Sequence, residues 1–233
     1  MSTTLKVLII LTSHATLGDT GRPTGVWLEE LSTPYYAFVD AGAQVDIASV
    51  AGGQVPIDPH SLEAPGKNPA SVERFLKDPT AQHKVELSAR LDGVSDSGYA
   101  AIFLPGGHGT MWDLPDNPHL AALLGHAWAN GKVLAAVCHG PAGLLGVRDE
   151  HGQPLLAGRQ VSGFSNSEEN AAGLTHAVPF LLESRIRALG AHYQSGPDFA
   201  AYAVRDGRLV TGQNPASSAK VAQLVLEAAG AAH

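Results

Sequence analysis

Short unbroken apolar runs alternate along this chain with longer stretches whose apolar positions recur at helical spacing. Residues 5–11 (LKVLIIL) form the first run, the pattern of a strand buried on both faces of a parallel sheet. Residues 25–41 then read as a helix with Pro34 as a kink. Residues 45–49 (VDIAS) and 100–104 (AAIFL) read as the second and third strands, the latter ending in Pro105-Gly106-Gly107. A helix over 118–130 stops at Gly131. The fourth strand, 133–137 (VLAAV), runs straight into Cys138, and a helix is expected to begin near Gly140. Near the end, 202–205 and 209–211 flank Asp206-Gly207, a hairpin signal, and 215–229 reads as a closing helix with Pro215 in its first turn. The stretch 52–98 breaks the rhythm. It is rich in Pro, Asp, Gly and Lys, with helical patches at 71–77 and 79–91, and reads as a small cap insertion. The alternation predicts an α/β fold, with a mainly parallel sheet covered on both faces and one domain over 1–233.

Composition narrows the classes. Apolar residues make up 44% and charged residues 16% of 233, which is a globular balance. A formal net charge of −7 argues against a nucleic-acid partner, which would want a basic face. A lone cysteine excludes an internal disulfide and points to a reducing, cytoplasmic compartment. Residues 1–6 lack the pattern of a secretory leader, and no apolar run approaches the ~20 residues of a membrane helix, so no membrane partner is expected. The eleven histidines show no HExxH, and Gly106-Gly107-His108-Gly109 lacks the Lys-Ser/Thr of a phosphate loop; no metal and no cofactor are expected.

The chemistry concentrates at Cys138. A strand that ends in a cysteine, followed by His139 and a Gly-Pro pair, is the pattern of a nucleophile elbow. Such a turn lifts the side chain above the carboxyl ends of the strands, where open α/β sheets bind ligands. A following helix N-terminus would favour the thiolate, the attacking form. A lone cysteine is more often a small buried hydrophobe; the strand-Cys-His-Gly-Pro context is what argues for a nucleophile. His139 is a candidate proton carrier if the turn is strained enough to bring adjacent side chains together. The backbone N–H groups of Gly107 and His139 are candidates for an oxyanion hole. Trp27, Tyr35, Tyr36 and Trp112 are candidates for pocket or interface walls, with core packing the plainer role. The stretch 197–202 lies where a loop could close a site.

The segments PGGHGTMWDLP (105–115) and AAVCHGPAGLL (135–145) resemble the ThiJ/PfpI superfamily. With TGVWLEELSTPYYAF (24–38), SGFSNSEE (162–169) and DGRLVTGQNPASS (206–218), the chain looks like the branch of heat-shock chaperone-like glyoxalase III enzymes. The resemblance implies a flavodoxin-like three-layer sandwich and a homodimer. It implies that a glutamate on the first helix faces the cysteine. Glu29 and Glu30 are both candidates, and the spacing from Gly25 in the family motif favours Glu30. It also implies an acidic residue orienting the histidine, which the motif puts at Glu169, whereas a pair such as Glu168-Glu169 otherwise reads as acidic residues at a helix start.

The activity implied is that of a glutathione-independent glyoxalase, a D-lactate dehydratase among the carbon–oxygen lyases, acting on methylglyoxal and other small 2-oxoaldehydes. Chaperone or deglycase activity could accompany it. The alternatives are a cysteine hydrolase or amidase, since the core is similar to class I glutamine amidotransferases, and a non-enzymatic chaperone or redox sensor. Those amidotransferases draw their histidine from a distant part of the chain, not from the residue after the cysteine.

Overall fold

The elements follow the apolar pattern in this computed structural model, which describes residues 4–230. Residues 1–3, part of the stretch expected to carry no leader, and His233 lie outside the described residues. Strand β1 (Lys6–Leu11) is buried from Val7 onward. Helix α1 (Leu28–Asp40) carries Pro34 inside it, and strand β2 (Gln44–Ser49) follows. Then come helices α2 (Ala70–Phe75) and α3 (Pro79–Glu86) and the two-residue strand β3 (Ala89–Arg90). Strand β4 (Ala101–Leu104) leads through a single helical turn, α4 (Thr110–Asp113), to helix α5 (Pro118–Ala129). The Asn117 side chain caps α5 by accepting from the N–H groups of His119 and Leu120. Strand β5 (Val133–Val137) ends at the cysteine.

Where the pattern predicted a helix after β5, the chain makes only a five-residue 3-10 turn, Gly140–Leu144. Beyond it lie strand β6 (Gln160–Val161) and helices α6 (Asn166–Ala171) and α7 (Leu182–Ala188). Strand β7 (His192–Tyr193), the hairpin of β8 (Ala203–Asp206) and β9 (Leu209–Gly212), and helix α8 (Ser218–Gly230) complete the described chain.

The main sheet has seven strands in the order β3-β2-β1-β4-β5-β9-β8. All its pairs are parallel except the β8–β9 hairpin. Successive side chains of a strand point to opposite faces. Val7, Ile9 and Leu11 of β1 therefore join the core under α1 and α8, while Leu8 and Ile10 join the core under α5. Two apolar layers on one sheet explain why β4, β5 and β1 from Val7 onward are apolar at every position. The architecture is the α/β sandwich expected.

The segment 52–98 wraps the outer flank of α1. Arg74 of α2 donates two hydrogen bonds to the Asp40 carboxylate at 2.7 and 2.9 Å, and the Tyr36 hydroxyl donates to Asp78 at 3.0 Å. Its last residues add β3 beside β2, with Ala89 opposite Ala48. Among the described residues no helix is long and apolar enough to cross a membrane.

Candidate active site

The carboxyl end of β5 carries strained backbone at the cavity. Cys138 has φ of 59°, in the left-handed region that a side chain with a Cβ adopts only at a cost of order 1–3 kcal/mol. Backbone bonds hold it there: the Cys138 N–H donates to Gly212 O at 2.9 Å, and the Phe164 N–H donates to Cys138 O at 2.8 Å. The turn also needs Gly140, because a Cβ at that position would collide with the Leu104 carbonyl oxygen.

This turn brings adjacent side chains together. The His139 ring is buried, with Nδ1 3.2 Å from the Cys138 sulfur and Nε2 2.7 Å from Glu169 Oε2. Burial, helped by the neighbouring His108, pulls the His139 pKa down, so the ring is neutral at pH 7. A neutral ring that donates Nε2–H to the carboxylate leaves the Nδ1 lone pair facing the sulfur. Burial alone would raise the Glu169 carboxyl, but His139 and His108 outweigh it and hold the group well below the usual carboxylate range.

Glu168 and Glu169 share the first turn of α6 and do different things. The Ser165 hydroxyl accepts from the Glu168 N–H and the Glu168 carboxylate accepts from the Ser165 N–H, both at 3.0 Å, a capping box. Glu168 Oε1 also accepts from the Phe199 N–H and the Asn214 amide, each at 2.8 Å. Glu169 turns the other way and accepts from both imidazoles.

Glu30 of α1 is fully buried, whereas Glu29 is only half-buried. Its Oε2 accepts the Gly106 N–H at 2.7 Å, and its Oε1 has no hydrogen-bond partner among the described residues. A Cβ on Gly106 would sit 2.6 Å from that Oε2, so the close approach requires glycine. Burial pushes the Glu30 carboxyl up to about 8, against the lowering effect of the neighbouring Cys138 thiol and of the Gly106 N–H. The carboxyl is therefore protonated at neutral pH and faces the sulfur with a proton to donate.

Burial also pushes the Cys138 thiol up, and a Glu30 charge would push it further. This differs from the expectation of a thiolate favoured by a helix terminus. The 3-10 turn supplies no such terminus, and the groups positioned to assist ionisation are the His139 nitrogen and the proton on Glu30.

Cys138, His139 and the backbone of Gly107 line a cavity of about 300 Å³. The Gly107 N–H has no protein acceptor among the described residues, and the His139 N–H points at the sulfur. Trp27 lines this cavity, whereas Tyr35 and Tyr36 pack in the core and Trp112 stacks on His14 with ring centroids 4.9 Å apart. A profile of the DJ-1/PfpI family matches residues 23–228. The chain belongs to the DJ-1/PfpI family.

Similarity to other DJ-1/PfpI proteins extends over nearly the whole chain. "Glutathione-independent glyoxalase HSP31" of Saccharomyces cerevisiae is 33% identical, covering 96% of this chain and 97% of that protein. The structure of Rapid Encystment Protein 24 KDa from Francisella tularensis superposes with a TM-score of 0.92 at 37% identity, covering 97% of this chain and 99% of that one. The structure of glyoxalase III from Candida albicans gives a TM-score of 0.87 at 29% identity, covering 96% and 97%.

The site of this DJ-1/PfpI chain is completed by side chains whose partners the sequence does not name: His108, expected from its place after Gly107 to line the pocket, does so. His108 brings a second imidazole to Glu169 at 2.8 Å and lies with its ring centroid 4.1 Å from that of His139, tilted by 43°. Phe164 packs 4.4 Å from His139, and Phe199 lines the cavity from the 197–202 loop. His108, His139 and Glu169 also bring one ligand atom each within 4.8 Å of the others. A divalent cation could sit there only by displacing both carboxylate–imidazole bonds.

Proposed function

We propose that this protein is a glutathione-independent glyoxalase that converts methylglyoxal and related 2-oxoaldehydes to 2-hydroxy acids. The observation that carries the reading is the position of Cys138, between the neutral His139 imidazole and the protonated Glu30 carboxyl, with Glu169 behind the imidazole. A family relative spanning the same length is named a glutathione-independent glyoxalase.

In this reading, His139 Nδ1 takes the Cys138 thiol proton as the sulfur bonds to the aldehyde carbon. Glu30 gives its proton to the carbonyl oxygen, forming a hemithioacetal. The Gly107 N–H stabilises the charge that develops on that oxygen, while the His139 N–H, aimed at the sulfur, steadies the attacking thiolate. Glu30, now a carboxylate, removes the C1 proton, and the protonated imidazole delivers a proton to the neighbouring carbonyl oxygen to give an enediol. Glu30 returns its proton to C2 while the C1 hydroxyl gives its proton to His139, and the enediol collapses to a 2-hydroxyacyl thioester. Water then cleaves the C–S bond, releasing the hydroxy acid and restoring the thiol. The aldehyde carbon is oxidised and the ketone carbon reduced within one molecule, so no redox cofactor is required. The enzyme acts, in this reading, as a cytoplasmic homodimer of single-domain chains; the lone cysteine suits a reducing compartment.

The test is lactate release from methylglyoxal with no added thiol. Wild type should release lactate, Cys138→Ala should release none, and Glu30→Gln should be slower by about 10²–10⁴-fold. Wild-type consumption no faster than that of Cys138→Ala would reject the reading.

A further inference from the structure

The chemistry above uses only the polar end of the cavity. A volume of about 300 Å³ is the share of about ten water molecules in the liquid, whereas methylglyoxal has little more bulk than a leucine side chain. Beyond the reacting groups, the walls are mostly apolar and include Leu17, Trp27, Phe164, Leu174 and Phe199, with His60 and His108 also lining the cavity. The polar groups at the mouth are committed or wet. The Asp58 carboxylate accepts from the Thr24 hydroxyl at 2.8 Å and from the His60 N–H at 2.9 Å, and Arg22 is exposed.

Phe199 stands apart from the other wall residues. It is 53% exposed, and its φ of 57° places a large side chain in the left-handed region. Neither core packing nor turn chemistry accounts for phenylalanine there, since a turn at that φ favours glycine or asparagine. Its backbone N–H is tied to the buried Glu168 carboxylate at 2.8 Å, and its ring stands edge-on 6.3 Å from Phe164. The buried tie on the loop side holds the aromatic ring at the cavity mouth.

We infer that Phe199 is a specificity-determining residue, and that the cavity selects 2-oxoaldehydes bearing a bulky apolar substituent, best an aromatic ring, seated between Phe199, Phe164 and Trp27. The reacting carbonyl in this inference rests on the glyoxalase reading; the apolar subsite does not. An added apolar group in such a pocket is worth roughly tenfold or more in selectivity.

Two measurements test it. In turnover, wild type should show a kcat/KM for phenylglyoxal at least about tenfold that for methylglyoxal. Phe199→Ala and Phe199→Gly should lower that ratio by about fivefold or more, through KM for phenylglyoxal. Glycine adopts this φ without strain, so a loss of selectivity at an unchanged melting temperature reports the missing ring. In binding, calorimetric titration with the product-like anions mandelate and lactate should show mandelate at least about tenfold tighter on wild type. That gap should close on Phe199→Gly. A wild-type preference at or below unity in both measurements, or a ratio that Phe199→Gly leaves unchanged, overturns the inference. If neither aldehyde is consumed while mandelate binds selectively through Phe199, the glyoxalase reading fails and the apolar subsite stands.

Discussion

The protonation of the buried Glu30 carboxyl makes its contribution to stability measurable. The folded chain holds this carboxyl at about 8, against an ordinary value of 4.5. Its folded form therefore binds a proton more readily than the unfolded chain does, and the resulting stabilisation is complete below about pH 4.5 and lost as pH rises through about 8. Wild type should lose stability between pH 5 and 8 at up to about 1 kcal/mol per pH unit from this group. Glu30→Gln should flatten that slope while losing activity, which a series of thermal melts against pH would show. Glu169 has the opposite sign: its lowered pKa stabilises the fold above about pH 4.5, and that contribution is lost on acidification. The neighbouring glutamates of α6 should also separate. Glu169→Gln should cost about 10²–10³-fold in kcat by disorienting His139, whereas Glu168→Gln should act mainly on melting temperature, since its partners are Ser165, Phe199 and Asn214.

Among the elements, β5 with its strained end was the most legible. Five consecutive apolar residues, a cysteine and a Gly-Pro pair leave little besides a strand entering a tight turn. The helix expected after that turn was not legible, because Gly140-Pro141-Ala142-Gly143 can be wound as α or 3-10 and packing against β4 chooses the tighter form. The collision that a Cβ at Gly140 would make with the Leu104 carbonyl is a contact between two strands' ends, which spacing in the chain does not report. Gly140→Ala should therefore destabilise by a few kcal/mol and displace the elbow, giving a lower melting temperature together with lost activity. The pair at 168–169 shows the same limit. Both glutamates suit a helix start; the family motif points to Glu169, and the sidedness of α6 turns Glu168 to the cap and Glu169 to the imidazoles.

For the molecule as a whole, the parallel order β1-β4-β5-β9 gathers distant residues at one end of the sheet. Glu30 enters from α1, Gly107 from the end of β4, Cys138 from the end of β5 and Glu169 from α6. The core between α1 and the sheet sets their spacing. Phe103 of β4 is fully buried and meets Phe38 of α1 edge-on at 5.9 Å. Phe103→Ala should cost about 3–5 kcal/mol, a fall of roughly 10 °C in melting temperature for a chain of this size, and should loosen the Glu30–Gly106 contact. Loss of activity below the melting transition would show that this core holds the site's geometry.

Local chemistry was enough to announce the α/β alternation, the elbow and the cysteine, because strand burial and turn residues leave their marks in consecutive positions. The pairing of Glu30 with the sulfur, the sharing of Glu169 by two imidazoles and the aromatic rim at Phe199 depend on side chains separated by tens of residues. Their protonation follows from burial, which is a property of the packed sheet and helices and of no single stretch of chain.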